Sequence, residues 1–227
     1  MRRLVTFGIV LVVVGLGGWA ADNWARGRAE DQVAAVIQTR LGVGQKPEVT
    51  IGGFPFSLSF LTRAVPSARI SAGSVPLTVS GKGVHVTGVL VDAERISLEG
   101  DQVRLARVTG TGVLSYGDLA LISGVPTSSG GDGRLRLNYT ARVGSQQFTL
   151  WVTAAPRLSE DGSSIELTAV RLEQEGTSAR LSQAQLDRLA KPIPLKLPAG
   201  VRLTALTPSE GGVALAAMAT GLSFTLS

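Results

Sequence analysis

The sequence predicts an α+β fold: a long, curved, mostly antiparallel β-sheet wrapped around an N-terminal helix. Three observations predict it. Apolar residues recur at helical spacing over 22–42 and again in a short stretch after Ser182, which is too few helices for βαβ units. From Val49 to Leu172, and again from Val201, the apolar pattern has period two. A sheet with that many strands curls rather than lies flat. The first helix is the element for it to curl around, with room left for a ligand.

The chain opens "MRRLVTFGIVLVVVGLGGWAADNWARGR". Arg2 and Arg3 precede Leu4–Ala21, which carries no charge. As a helix that stretch rises about 27 Å, close to a hydrocarbon core. Trp19 and Trp24 fall where interfacial aromatics sit, and the arginines favour a cytoplasmic N-terminus. Residues 1–21 therefore read as a signal anchor or a signal peptide. The apolar stretch exceeds the usual signal-peptide core of about 7–15 residues, and Gly18-Trp19-Ala20 is a poor cleavage site. Either reading places 22–227, taken as a single α+β domain, on the extracytoplasmic face of the plasma membrane. It is either held there by a single-pass anchor or exported.

Over 22–42, Ala29, Val33, Val36, Ile37 and Leu41 make a narrow apolar stripe, expected to face the sheet. Gly42 and Gly44 stop the helix and Pro47 follows. "IGGFPFSLSFLTR" (51–63) comes next and holds three of the six Phe. Gly52-Gly53 permits a sharp turn and Pro55 fixes an extended path. Phe54, Phe56, Leu58 and Phe60 are then in phase, with Leu61 beside them. The cluster is either a plug sealing one end of the sheet or a rim that touches acyl chains. As a lipid-binding site the residues are Phe54, Phe56, Leu58, Phe60 and Leu61.

Further strands are marked by Val84/Val86, Ile96/Leu98, Val103/Leu105 and Ile165/Leu167. "RLRLNYTARV" (134–143) alternates strictly, with Leu135, Leu137 and Tyr139 opposite Arg134, Arg136 and Asn138. "GSQ" then turns into "QFTLWVTA", which predicts a hairpin. "SSGGDG" (128–133) is a connector. Ser182 with Gln185 caps a short helix that Pro192 and Pro194 end. Two alternating runs separated by "TPSEGG" close the chain.

The composition excludes much chemistry. With no Cys there is neither disulfide, thiolate metal site nor Cys nucleophile. One His, His85, rules out multi-His metal sites, and its place between Val84 and Val86 puts it on the polar face. Ser115 in "GVLSYG" has the wrong spacing for a nucleophile elbow. No Walker loop or metal-ligating motif occurs. Glu160-Asp161 and Glu173/Glu175 read as solvated turn carboxylates. The net charge of +5 suits an anionic membrane surface, but no basic run marks a nucleic-acid partner. Charged residues are 17% and hydrophobic residues 44%. That balance, with no reactive constellation, points to binding rather than turnover, without cofactor or metal. Small aliphatic side chains on one sheet face are either ordinary core or the lining of an acyl-chain cavity.

Several motifs together resemble the actinobacterial LmeA-like phospholipid-binding envelope family. They are the apolar N-terminus leading into a helix, "VTIGGFPFSLSFLTR", the weaker "GTGVLSYGDLALISG", and the C-terminal "LPAGVRL", "GGV" and "ATG" in that order. Ser57 stands where other members carry Leu. The resemblance covers about residues 20–227. It implies a curved sheet similar to tubular lipid-binding domains. It also implies a phospholipid or other acyl-lipid partner, and a supporting role in envelope glycolipid synthesis of the lipomannan type, or in lipid shuttling. A partner glycosyltransferase would fit that role. The alternative from another class is a non-catalytic scaffold that docks envelope enzymes.

Overall fold

The computed structural model describes residues 22, 24–39, 42–53, 64–79, 81–99, 102–143, 146–173, 192–195, 197 and 200–225. Several expectations fall outside them: the anchor or signal over 1–21, Leu41, the Phe-Pro-Phe cluster from Phe54 to Leu61, Glu175, and the helix after Ser182. Among the described residues, no helix is long and apolar enough to cross a membrane.

The architecture is α+β and mostly antiparallel sheet. A helix over 24–39 (α1) precedes β1 (Glu48–Ile51), β2 (Ala64–Val79), β3 (Lys82–Glu99) and β4 (Gln102–Leu114). Then come helix α2 (Tyr116–Ser123), β5 (Thr127–Ser129), β6 (Leu135–Val143), β7 (Gln146–Leu158) and β8 (Ser164–Glu173). The short β9 (Ile193–Pro194) leads to β10 (Val201–Ser209) and β11 (Gly212–Thr225). The strands divide between two sheets. One has six strands, in the order β1-β2-β3-β4-β11-β10, and the other five, in the order β5-β6-β7-β8-β9. The second sheet curls into a half-barrel.

The break between the sheets falls at α2, a helix the periodicity does not predict. It is a product of its caps. The Ser115 hydroxyl accepts from the Asp118 N–H at 3.0 Å, and Gly124 closes the other end at φ 74°. Ser115 is thus a capping residue. Leu119 is buried beneath the helix. Lys82 donates to the Leu121 carbonyl, and the Tyr116 hydroxyl donates to the Ser209 carbonyl, so α2 is tied to β3 and β10.

The main core lies where the half-barrel meets one end of the long sheet. Leu135, Leu137, Val152 and Ile165 from the half-barrel pack with Val84, Leu114 and Val213 from the long sheet, and with Leu119. The predicted faces of β6 hold: Leu135 and Leu137 are buried, while Arg136 lies over the Trp151 ring at 4.4 Å and pairs with Glu173 at 2.7 Å. Glu173 therefore sits on a strand in an ion pair, not in a solvated turn. Glu160 and Asp161 do occupy a turn. Hairpins join β6 to β7, closing on Val143 and Gln146, and β10 to β11, closing on Ser209 and Gly212.

A smaller core joins α1 to the sheet. Ala34, Val49 and Ile51 are buried there, with Ala25, Ala29, Ile37, Val65 and Ile70 around them. The predicted stripe is partly wrong: Val33 and Val36 are exposed. The inward face is alanine-rich because small side chains let a helix approach a sheet closely, and β-branched residues at 33 and 36 would hold it off.

Candidate functional site

The six-stranded sheet has one face that is apolar from edge to edge. Val49, Ile70, Val91, Gly110, Ala217 and Leu203 are successive cross-strand partners, one from each strand. The next row runs Ile51, Ala68, Ala93, Val108, Ala219 and Val201. The opposite face carries Arg69, Asp92, Glu94, Thr109, Thr111 and His85, and His85 is exposed as predicted.

Keeping one face apolar over strands this long needs correction. β3 has 18 residues, about 60 Å at ~3.3 Å per residue. Alternation is therefore reset twice. Beyond the second row, the apolar side chains step by three instead of two: Ala68 to Val65, Ala93 to Ile96, Val108 to Leu105, and Ala219 to Leu222. The skipped residues Pro66, Arg95, Ala106 and Gly221 have no direct partner in the ladder, and Arg95 and Gly221 take φ 50° and 64°. Toward the other end, β3 steps from Val89 to Val86 across Gly88 at φ 59°, where the register with β4 shifts. Val84/Val86 and Ile96/Leu98, expected as two strands, are accordingly the two ends of β3.

Between the two cores, the middle of this face has buried small residues, Ala72, Ala93 and Ala219, among half-buried ones. Val89, Val91, Val108, Gly110 and Ala217 are only half-buried and belong to neither core. So are Ile96, Leu105 and Leu222 in the last row. From Val89 to Ile96 the strip runs about 23 Å, longer than the ~15 Å that an acyl chain spans in one leaflet. Its relief is low. Gly112 is flat by necessity, because a Cβ there would lie 2.5 Å from Val86 Cγ1.

The segment holding Phe54, Phe56, Leu58, Phe60 and Leu61 connects β1 to β2, and its entrance is fixed. Arg26 on α1 donates to the Gly53 carbonyl at 2.5 Å, and Glu30 accepts from the Ile51 N–H at 2.7 Å. Gly52 is pressed against Ser67, where a Cβ would sit 2.2 Å from the hydroxyl oxygen, and Gly53 takes φ 108°. The segment's exit feeds Val65, cross-strand partner of Ile96, which pairs with Leu105, which pairs with Leu222. The Phe-rich segment thus joins the sheet at the last row of the apolar strip.

The profile of the LmeA-like phospholipid-binding family matches residues 20–218. The chain belongs to that family. The family is described by phospholipid binding rather than turnover. Comparison with curated proteins and with solved structures gives no significant match. Among the described residues, no group of three His, Cys, Asp or Glu could hold a metal ion.

Two cavities are formed by the described residues. One, of about 300 Å³, is lined by Ile122, Val125, Leu137, Tyr139, Leu167 and Ile193 on the half-barrel, and burial raises the Tyr139 phenol above its usual pKa. The other, of about 520 Å³, is lined by polar residues of the far face of the long sheet together with Leu105 and Leu222. Sequence periodicity missed the strip's continuity, but the steps of three at Val65, Ile96, Leu105 and Leu222 were there to be found.

Proposed function

We propose that this LmeA-like protein is an extracytoplasmic phospholipid-binding protein, with 22–227 as one lipid-binding domain. It lays an acyl chain along the strip through Val89, Val91, Val108 and Gly110. The single observation that carries the reading is that strip: an apolar sheet face whose middle valines are only half-buried and belong to neither core, in a phospholipid-binding family. Burial of acyl methylenes contributes about 0.8 kcal/mol each without directional demands, which suits a flat floor. Phe54, Phe56, Leu58, Phe60 and Leu61 act as the rim where the chain enters, since their segment meets the strip's last row. Residues 1–21 hold the domain at the membrane as an anchor or direct its export as a signal peptide. The role is support of envelope glycolipid synthesis of the lipomannan type, or shuttling of lipid toward it, in company with an envelope glycosyltransferase.

The test is to purify the full chain in detergent, extract it with organic solvent, and identify lipids by mass spectrometry. Phospholipid near one equivalent is expected, and labelled phospholipid should exchange into the protein from vesicles. Absence of both sinks the proposal. A pull-down that returns one fixed enzyme together with no phospholipid would favour a scaffold instead.

A further inference from the structure

The 520 Å³ cavity lies at the line where alternation is reset, and Leu105 and Leu222 of the strip's last row share its lining with polar residues of the opposite face. Its charged lining is Arg95, Arg104 and Glu99, a cationic excess in an otherwise sparsely charged protein. Ser97, Arg104 and Ser223 are successive cross-strand partners, so two hydroxyls flank one guanidinium. Ala106 and Gly221 are skipped ladder positions and leave the floor free of large side chains. Arg95 stands at the wall with φ 50°, a left-handed conformation that a residue with a Cβ adopts only at a cost. Among the described residues its guanidinium has no ion-pair or hydrogen-bond partner. Arg104 gives one terminal nitrogen to Glu99 at 3.1 Å, an exposed pair that opens at little cost.

We infer that this cavity is a phosphate site, in which Arg95 and Arg104 grip a phosphate oxyanion and the Ser97 and Ser223 hydroxyls donate to its remaining oxygens. A planar guanidinium fork matches two phosphate oxygens at once, and two forks with two hydroxyls satisfy a tetrahedral anion. The strain at Arg95 has a use in this site, because the reset turns that side chain onto the polar face beside Arg104's row. The ligand is a phosphate monoester or diester. It comes from a phospholipid headgroup at the membrane surface or from soluble phosphate. The site grips its phosphate through polar side chains alone, so soluble probes test it independently of the lipid on the strip.

The experiment is thermal unfolding of the full chain in detergent, at constant ionic strength. The probes are inorganic phosphate, the deacylated headgroup glycerophosphoglycerol, and sulfate as control. Wild type should melt higher with at least one phosphate probe, and sulfate should do less. A response to glycerophosphoglycerol alone assigns a headgroup, and a response to inorganic phosphate as strong assigns a soluble source. Arg95→Gly suits the left-handed backbone, so the variant should melt no lower than wild type without ligand, yet bind the active probe at least tenfold more weakly. Arg104→Gln should weaken it similarly. The inference is overturned if no phosphate probe shifts the transition, if sulfate matches phosphate, or if Arg95→Gly keeps the full response.

Discussion

Replacing Val91 with Asp puts a charge at the centre of the strip, and its consequences for folding and for lipid binding differ in size. Val91 is half-buried, with Ile70 and Gly110 as cross-strand partners. Full burial of a Val is worth about 1.5–3 kcal/mol, so half of it costs about 1 kcal/mol of stability. With the strip empty, the carboxylate stays hydrated and the fold tolerates it. An acyl chain laid over the site must strip that water. The least costly escape is protonation, and raising a carboxyl from its usual pKa near 4 to neutrality costs about 4 kcal/mol. Lipid affinity should therefore drop by roughly a thousandfold. The assay is phospholipid per mole of purified protein, by mass spectrometry, alongside thermal unfolding. Thr111→Asp places the same charge on the exposed face of the neighbouring strand and is the control. Wild-type lipid content in folded Val91→Asp would refute the strip as the acyl site, as would equal loss in both variants.

Four further outcomes follow from local geometry. Gly112→Ala drives a Cβ to 2.5 Å from Val86 Cγ1 and should destabilise by about 1–3 kcal/mol in urea unfolding. Gly110→Ala, whose nearest contact is 3.7 Å, should be neutral or mildly stabilising. Ser115→Ala removes the α2 cap and should cost about 1 kcal/mol with lipid content unchanged, which separates a cap from a nucleophile. Hydrogen bonds from Ser159 and Ser163 lower the Asp161 carboxyl from 3.8 to about 2. A depressed folded pKa means its contribution is complete above pH 3.8 and fades as pH falls toward about 2. Asp161→Asn should therefore flatten the acid limb of the melting curve in that window and leave its shape near neutral pH alone.

What was legible in the sequence was whatever period two expresses cleanly. β6 reads "RLRLNYTARV" and folds with Leu135 and Leu137 inward, because a half-barrel with one wet face demands strict alternation. His85 falls on the polar face for the same reason. Where the fold departs from period two, the sequence misleads. Gly88 and Arg95 interrupt β3 and imitate turns, so one strand looks like two. On α1, hydrophobicity alone favours Val33 and Val36, but the sheet accepts Ala29 and Ala34 because closeness counts there more than side-chain size. Helix α2 has almost no amphipathic pattern. Its signal is local, Ser115 three residues before Asp118 and Gly124 at the end. The polar cavity was illegible because Ser97, Arg104 and Ser223 meet only through strand register.

The make-up of the strip also bears on what it can select. Gly110, Ala93, Ala217 and Ala219 lie among valines, so the floor that the described residues form has little relief. Apolar contact is non-directional and scales with area. Such a floor discriminates chains by length only until the strip is full, at about 23 Å between Val89 and Ile96. A chain that spans ~15 Å within one leaflet fits entirely, so acyl composition should matter little to affinity. Selectivity must then come from where the strip ends. At one end it is closed by the core at Val84, Leu114 and Val213. At the other lies the row Val65, Ile96, Leu105 and Leu222, and Val65 follows the segment whose start at Ile51 and Gly53 is bonded to Glu30 and Arg26. A headgroup can project only from the end that is not sealed. Changes to Phe54 or Phe56 should thus alter which phospholipid class is recovered, whereas changes to Val91 or Val108 should alter how much.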